Sequence, residues 1–176
     1  MLLGGARPTG DADFGVVARP RAWVEVERAI AAAAAQSGIA VQYSQDIDRW
    51  SSVAIPPRRF RTRAWKRYRR LSVHILEPSC WAVYKLARYL EADVEDLISV
   101  LRRERVSSAR LARLCGESLR ASPRSPALFL FRRQVEHFFR RHGRTIWGVR
   151  YEPERSVAEF HRASMTKRSR PGSRRA

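Results

Sequence analysis

Hydrophobic and polar positions change rhythm along the chain. Near the start, "DFGVV" alternates with period two and predicts a strand. "PRAWVEVERAIAAAAAQSG" predicts a helix, with Pro20 suited to its first turn and Gly38 to its exit. "IAVQY" predicts a second strand and "QDIDRW" a loop. "SSVAI" is read as a short strand that Pro56 and Pro57 break. "YRRLSVHIL" places Leu71, Val73 and Ile75 on one face of a further strand. Helical spacing then takes over in "SCWAVYKLARYLE", "VEDLISVLRRER", "ARLARLCGESLR" and "ALFLFRRQVEHFFRRHG". Ser107 or Ser108 is expected to cap the third of these, Pro126 to start the fourth and Gly143 to end it. Phe129, Phe131, Phe138 and Phe139 are expected to serve the packing of that last helix.

The layout is α+β, a small mixed sheet followed by a C-terminal helical bundle. Residues 1–77 form the sheet-containing core, with a basic segment at 58–70, and residues 78–150 the helical part. Residues 151–176 form a basic tail in which Ser, Arg, Lys, Gly and Pro dominate from Arg162 on, and it is expected to be disordered. No apolar run approaches the roughly 18–20 residues needed to span a bilayer, and "AIAAAAA" is too short, so no membrane role is expected. Cys80 and Cys115 form no C-x-x-C pattern and read as reduced, buried thiols of a cytoplasmic protein.

Charge changes the picture most. The chain has 176 residues, with 35 Lys and Arg against 17 Asp and Glu, a net +18. The excess is uneven: residues 1–57 are near neutral, whereas "RRFRTRAWKRYRR" (58–70) holds eight basic groups and no acid. A coding bias toward arginine would raise it everywhere, which the first third contradicts. Within 58–70, Phe60, Trp65 and Tyr68 interleave with the arginines. Guanidinium groups bind phosphate and aromatic rings stack on bases, so Arg58, Arg61, Trp65, Arg67, Tyr68 and Arg70 are candidate nucleic-acid contacts, above all for RNA. The alternative is a solvated loop coated with counterions.

Two aspartates, Asp11 and Asp13, stand one residue apart on the first strand. They suit either a solvated edge or a shared cation. A second pair, Asp46 and Asp48, beside Arg49 and Trp50, fits a turn better. The four histidines show no zinc spacing. Lys85 and Arg88, three apart on one helix, can pair with Asp93 or Asp96 across the next junction.

"R-P-T-G-D-A-D-F" resembles the R-x-T-x-D-x-D segment of the DNA polymerase beta-like nucleotidyltransferase superfamily, in particular its AbiEii-type and minimal members and the uncharacterised bacterial branch grouped with them. "LEPSCWAVYKLARYLEADVEDLISVL" is similar to their K-L-x-R helix followed by D-x-x-D on the next. The resemblance covers roughly residues 4 to 148. It implies Mg²⁺-dependent transfer of a nucleotide from a nucleoside triphosphate to an acceptor such as tRNA, in the manner of a toxin with a cognate antitoxin. Asp11 and Asp13 would then be the catalytic metal ligands, Arg7 and Thr9 would flank the phosphates, and Lys85 and Arg88 would contact the nucleotide. The chain departs from the pattern in two places. Gly4 and Gly5 lie too close to Asp11 to open the phosphate-cradling helix, and "LSVHILEP" offers His74 and a terminal Glu77 in place of a central carboxylate. An impaired transferase lacking the N-terminal part of the core is therefore expected, with a non-catalytic RNA- or DNA-binding protein on the same scaffold as the alternative.

Overall fold

The computed structural model describes residues 11–45, 51–69 and 71–165. The fold is α+β, with helices dominating from residue 78 onward. Among the described residues the strands form two separate pairs, where one mixed sheet was expected.

The first pair is parallel. Strand β1 (Asp11–Gly15) runs beside β2 (Ala40–Ser44), in register Asp13 to Gln42 and Phe14 to Tyr43. Parallel neighbours need a crossover, which helix α1 (Trp23–Ser37) supplies after a single 3₁₀ turn at Pro20–Ala22. Gly38 ends α1 with φ of 67°, a left-handed conformation that glycine adopts without steric cost. Trp23, Val26, Ile30 and Ala34, three and four residues apart, form the half-buried stripe of α1. The Trp23 ring lies 6.5 Å from that of Tyr43, which stacks on Phe14 at 5.9 Å.

The second pair is an antiparallel hairpin of β3 (Thr62–Tyr68) and β4 (Leu71–Leu76). The basic run is therefore strand from Thr62 to Tyr68, with only residues 58–61 irregular ahead of it. "SSVAI" makes no strand. It crosses the helical layer as irregular chain that drives Val53 and Ile55 into the core, while the Ala54 N–H donates to Ser122 Oγ at 2.8 Å. That bond satisfies a backbone donor for which no ladder exists.

Five helices follow: α2 (Pro78–Arg88), α3 (Glu91–Arg103), α4 (Ser108–Ala121), α5 (Pro126–Trp147) and α6 (Pro153–Met165). Their stripes build the core around Leu86, Leu97, Leu101, Leu111, Phe131, Phe138, Phe139 and Phe160. Ser107 caps α4 by accepting from the Arg110 N–H at 3.3 Å. Phe129, expected to serve packing, is instead exposed, with Arg133 resting over its ring. Cys80 and Cys115 are free and buried, and burial raises both thiol pKa values.

Two boundaries differ from expectation for a shared reason. Helix α5 does not stop at Gly143 but continues to Trp147. Gly143 is buried there against the ring of Tyr151, whose Cδ1 would lie 2.7 Å from an added Cβ. The glycine serves close approach, and Gly148, with φ of 92°, marks the exit. The stretch expected to be a disordered tail is helical from Pro153 to Met165, with Ser156, Val157 and Phe160 buried. Its approach to α4 runs over Gly116, where an added Cβ would meet the Phe160 carbonyl oxygen and, at 2.7 Å, the Cβ of Ala163.

Candidate nucleic-acid interface

A strand flanked by arginines and interrupted by a bulge makes the most exposed element of the fold. Every residue of β3 is exposed. Facing residues of an antiparallel pair share a face, so Arg63 goes with Ile75, Lys66 with Val73, and Tyr68 with Leu71. Between Ala64 and Lys66 the register shifts by one, leaving Trp65 as the extra residue. Uninterrupted alternation would send Trp65 and Lys66 to opposite faces. With the bulge, Lys66 Nζ stands 5.8 Å from the centroid of the Trp65 ring and 5.1 Å from that of Tyr68. The two rings, about half exposed at 51% and 47%, therefore flank one lysine on one face. Arg67 faces the other way, with Ser72.

Tyr68 pairs with Leu71 across a short turn that Arg69 opens. Two-residue hairpin turns favour Asn-Gly, because they need positive φ. Arg69 holds φ of 41°, an arrangement that costs a residue with a Cβ roughly 1–2 kcal/mol. Arg58, Lys66, Arg67 and Arg69 form no ion pair among the described residues. Among the described residues the Arg61 side chain donates to the Phe60 carbonyl, at 3.0 Å. Arg70 lies outside the described residues.

The hairpin face descends into a groove between β3 and the start of α4. One recess there, about 320 Å³, is lined by Arg63, Arg105 and Arg110 with Glu77 and Glu104. A second, about 290 Å³, shares Glu77, Ser107 and Arg110 with it and adds Arg59, Arg61 and Arg113 with Glu117. Six arginines against three glutamates leave the walls with a positive excess. Arg63 reaches Glu104 at 3.1 Å, Arg110 reaches Glu77 at 2.8 Å, and Arg59 holds Glu117 through two bonds of 2.5 and 2.8 Å. Burial works to raise the Glu117 pKa, but hydrogen bonds and charge from Arg59 outweigh it and hold the carboxyl below its usual range. Arg105 lines the groove without an ion pair among the described residues. No spacing in the sequence links Arg105 or Arg110 to the basic run; only the fold brings them beside Arg63.

Lys85 and Arg88, candidates for nucleotide contact, are engaged at the α2–α3 junction. Lys85 Nζ donates to Asp93 at 2.8 Å and to Asp96 at 3.2 Å, and Arg88 donates to both Asp93 oxygens at 2.8 and 2.7 Å. Asp93 also accepts from the Leu90 N–H at 3.2 Å, closing the first turn of α3. Burial would raise its pKa, yet Arg88 and Lys85 lower it to about 2.

The metal candidates Asp11 and Asp13 belong to the first strand of the parallel pair. Asp13 is exposed, on the face of β1 opposite to that of Phe14. Asp11 opens β1, but its side chain, Arg7, Thr9, Asp46 and Asp48 lie outside the described residues. Among the described residues no three His, Cys, Asp or Glu side chains gather as a metal site. His74 is on the exposed back of the hairpin, 3.4 Å from Thr62 Oγ1. No described helix is long and apolar enough to cross a membrane. Comparison with family models, curated proteins and solved structures finds no match for the chain.

Proposed function

We propose that this protein binds nucleic acid through the β3–β4 hairpin, without a catalytic role for that surface. One observation carries the reading: the bulge at Trp65 gathers two half-exposed aromatic rings around Lys66, on a strand where Lys66, Arg67 and the adjoining Arg69 form no ion pair among the described residues. Stacking rings and unpaired cations are what a flexible polyanion with exposed bases requires. RNA is the favoured target, and two buried, unlinked thiols suit a reducing, cytoplasmic setting.

Affinity for RNA should fall steeply with salt. Replacing Arg58, Arg61, Arg67 and Arg70 by alanine should lower the slope of log K against log salt by about 3, at roughly 0.7 per lost phosphate contact on a single strand. Trp65→Ala and Tyr68→Ala should each weaken single-stranded RNA roughly 10- to 100-fold and duplex far less, since only splayed bases stack. Anisotropy titrations measure both effects. Equal losses on single strand and duplex would show that the rings only pack.

A second reading keeps the nucleotidyltransferase scaffold. It rests on Asp11 and Asp13 both falling within β1 of a parallel strand–helix–strand unit. On this reading Mg²⁺ and a nucleoside triphosphate bind there, and a tRNA acceptor and an antitoxin are the partners. Asp13→Asn should then abolish the heat of Mn²⁺ binding in calorimetry. Superimposable titrations for the parent and the variant would remove the metal site and leave the hairpin reading intact.

A further inference from the structure

We infer that the arginine groove beside β3 is the phosphate-binding continuation of the hairpin, and that the ligand occupying both is one single strand of nucleic acid. The inference rests on the hairpin reading and extends it to a second set of residues. Three observations converge on it.

The first is continuity. Arg63 belongs both to the hairpin face that carries Lys66 and Tyr68 and to the wall of the groove. The seven residues of β3 span roughly 20 Å, so Tyr68 at one end, Trp65 in the middle and Arg63 near the other end can serve successive nucleotides of an extended strand.

The second is the division of chemistry along that line. Trp65 and Tyr68 are open rings on the strand, whereas Arg105 lines the recess with no ion pair among the described residues, beside Arg63 and Arg110, which Glu104 and Glu77 hold there. A single strand offers splayed bases to the rings and its backbone phosphates to the recess. A duplex keeps its bases stacked and cannot use both parts together.

The third is where the unpaired cations sit on the backbone. Only three described residues other than glycine have positive φ: Arg69, Tyr89 and Arg105. Arg69 marks the tip end of the line and Arg105 the groove end. Arg105, with φ of 50°, follows α3 in a C-terminal motif in which Val106 N–H donates to the Leu101 carbonyl at 3.1 Å. Glycine is the usual occupant of such a position. An arginine without an ion pair there presents its charge to the groove at a cost to the backbone.

That placement supplies a discriminating variant. Arg105→Gly removes the guanidinium and relieves the backbone, so the folded protein is retained, with a melting temperature no lower than the parent's. Arg105→Asn, which also tolerates this conformation, serves as the second variant. Labelled oligouridylates of about three to about twelve nucleotides, and a blunt duplex, are titrated by anisotropy against the parent, both Arg105 variants and the Trp65→Ala/Tyr68→Ala double variant. The longest single strand should bind about tenfold more weakly to the Arg105 variants, with the salt slope reduced by roughly 0.7, while the shortest, held at the rings, is unaffected. Failure of the parent to bind any oligonucleotide overturns the hairpin reading, and this inference with it. If the double variant loses binding while the Arg105 variants match the parent at every length, the groove assignment fails alone. A loss on duplex equal to that on single strand overturns the single-strand assignment.

Discussion

Asp93→Ala is expected to destabilise the helical half by about 3–5 kcal/mol, the cost of removing one member of a buried charge cluster. Asp93 is 1% exposed and accepts from Lys85, from two nitrogens of Arg88 and from the Leu90 backbone. Its removal also strips the cap of α3. Asp93→Asn separates charge from shape, and pH then identifies the charge. The folded-state pKa lies at about 2, below the ordinary carboxylate value, so the stabilisation is fully present above about pH 4 and is lost as pH falls toward 2. Urea denaturation of the parent and Asp93→Asn should show a gap of order 2 kcal/mol at neutral pH that closes across this window. A gap independent of pH would mean that packing, not the ion cluster, holds the junction. The same cluster bears on the nucleotide candidates, because a contact through Lys85 or Arg88 must compete with Asp93.

Gly116→Val should be nearly as damaging. A branched side chain at that point of α4 enters the space of the Phe160 carbonyl oxygen, the Ala163 methyl and the Ser164 nitrogen, which lies 2.9 Å from an added Cβ. Backbone cannot yield as a flexible side chain does, so α6 must move outward. Detachment would expose Phe160 and Val157 and release the Arg113–Glu159 and His161–Glu136 pairs, at 3.0 and 2.7 Å. Loss of the two apolar side chains alone is worth about 3–5 kcal/mol. Thermal melts should show a drop of roughly 6–20 °C, at about 2–4 °C per kcal/mol for a chain of this size. A much smaller drop would show that α6 contributes little to the core.

The sequence by itself determined the helical half and the location of the charge. Apolar positions three and four residues apart, Ser107 as a cap and prolines 78 and 126 at first turns are local signals, and each acts over one turn of chain. Arg58, Arg61, Trp65, Arg67 and Tyr68 were legible as a basic aromatic run from composition alone. Tertiary structure decided what that run became. The face on which Trp65 and Lys66 lie depends on register against β4, and a shift of one residue reverses it. Gly143 reads as a helix end until Tyr151 packs on it, and α6 carries only two large buried apolar residues, too few for a periodic signal. Arg105 and Arg110 join Arg63 across more than forty positions of chain. Periodicity records which side of an element is buried, whereas a groove is made where separate elements meet, and that meeting is set by core packing among α2, α3 and α4.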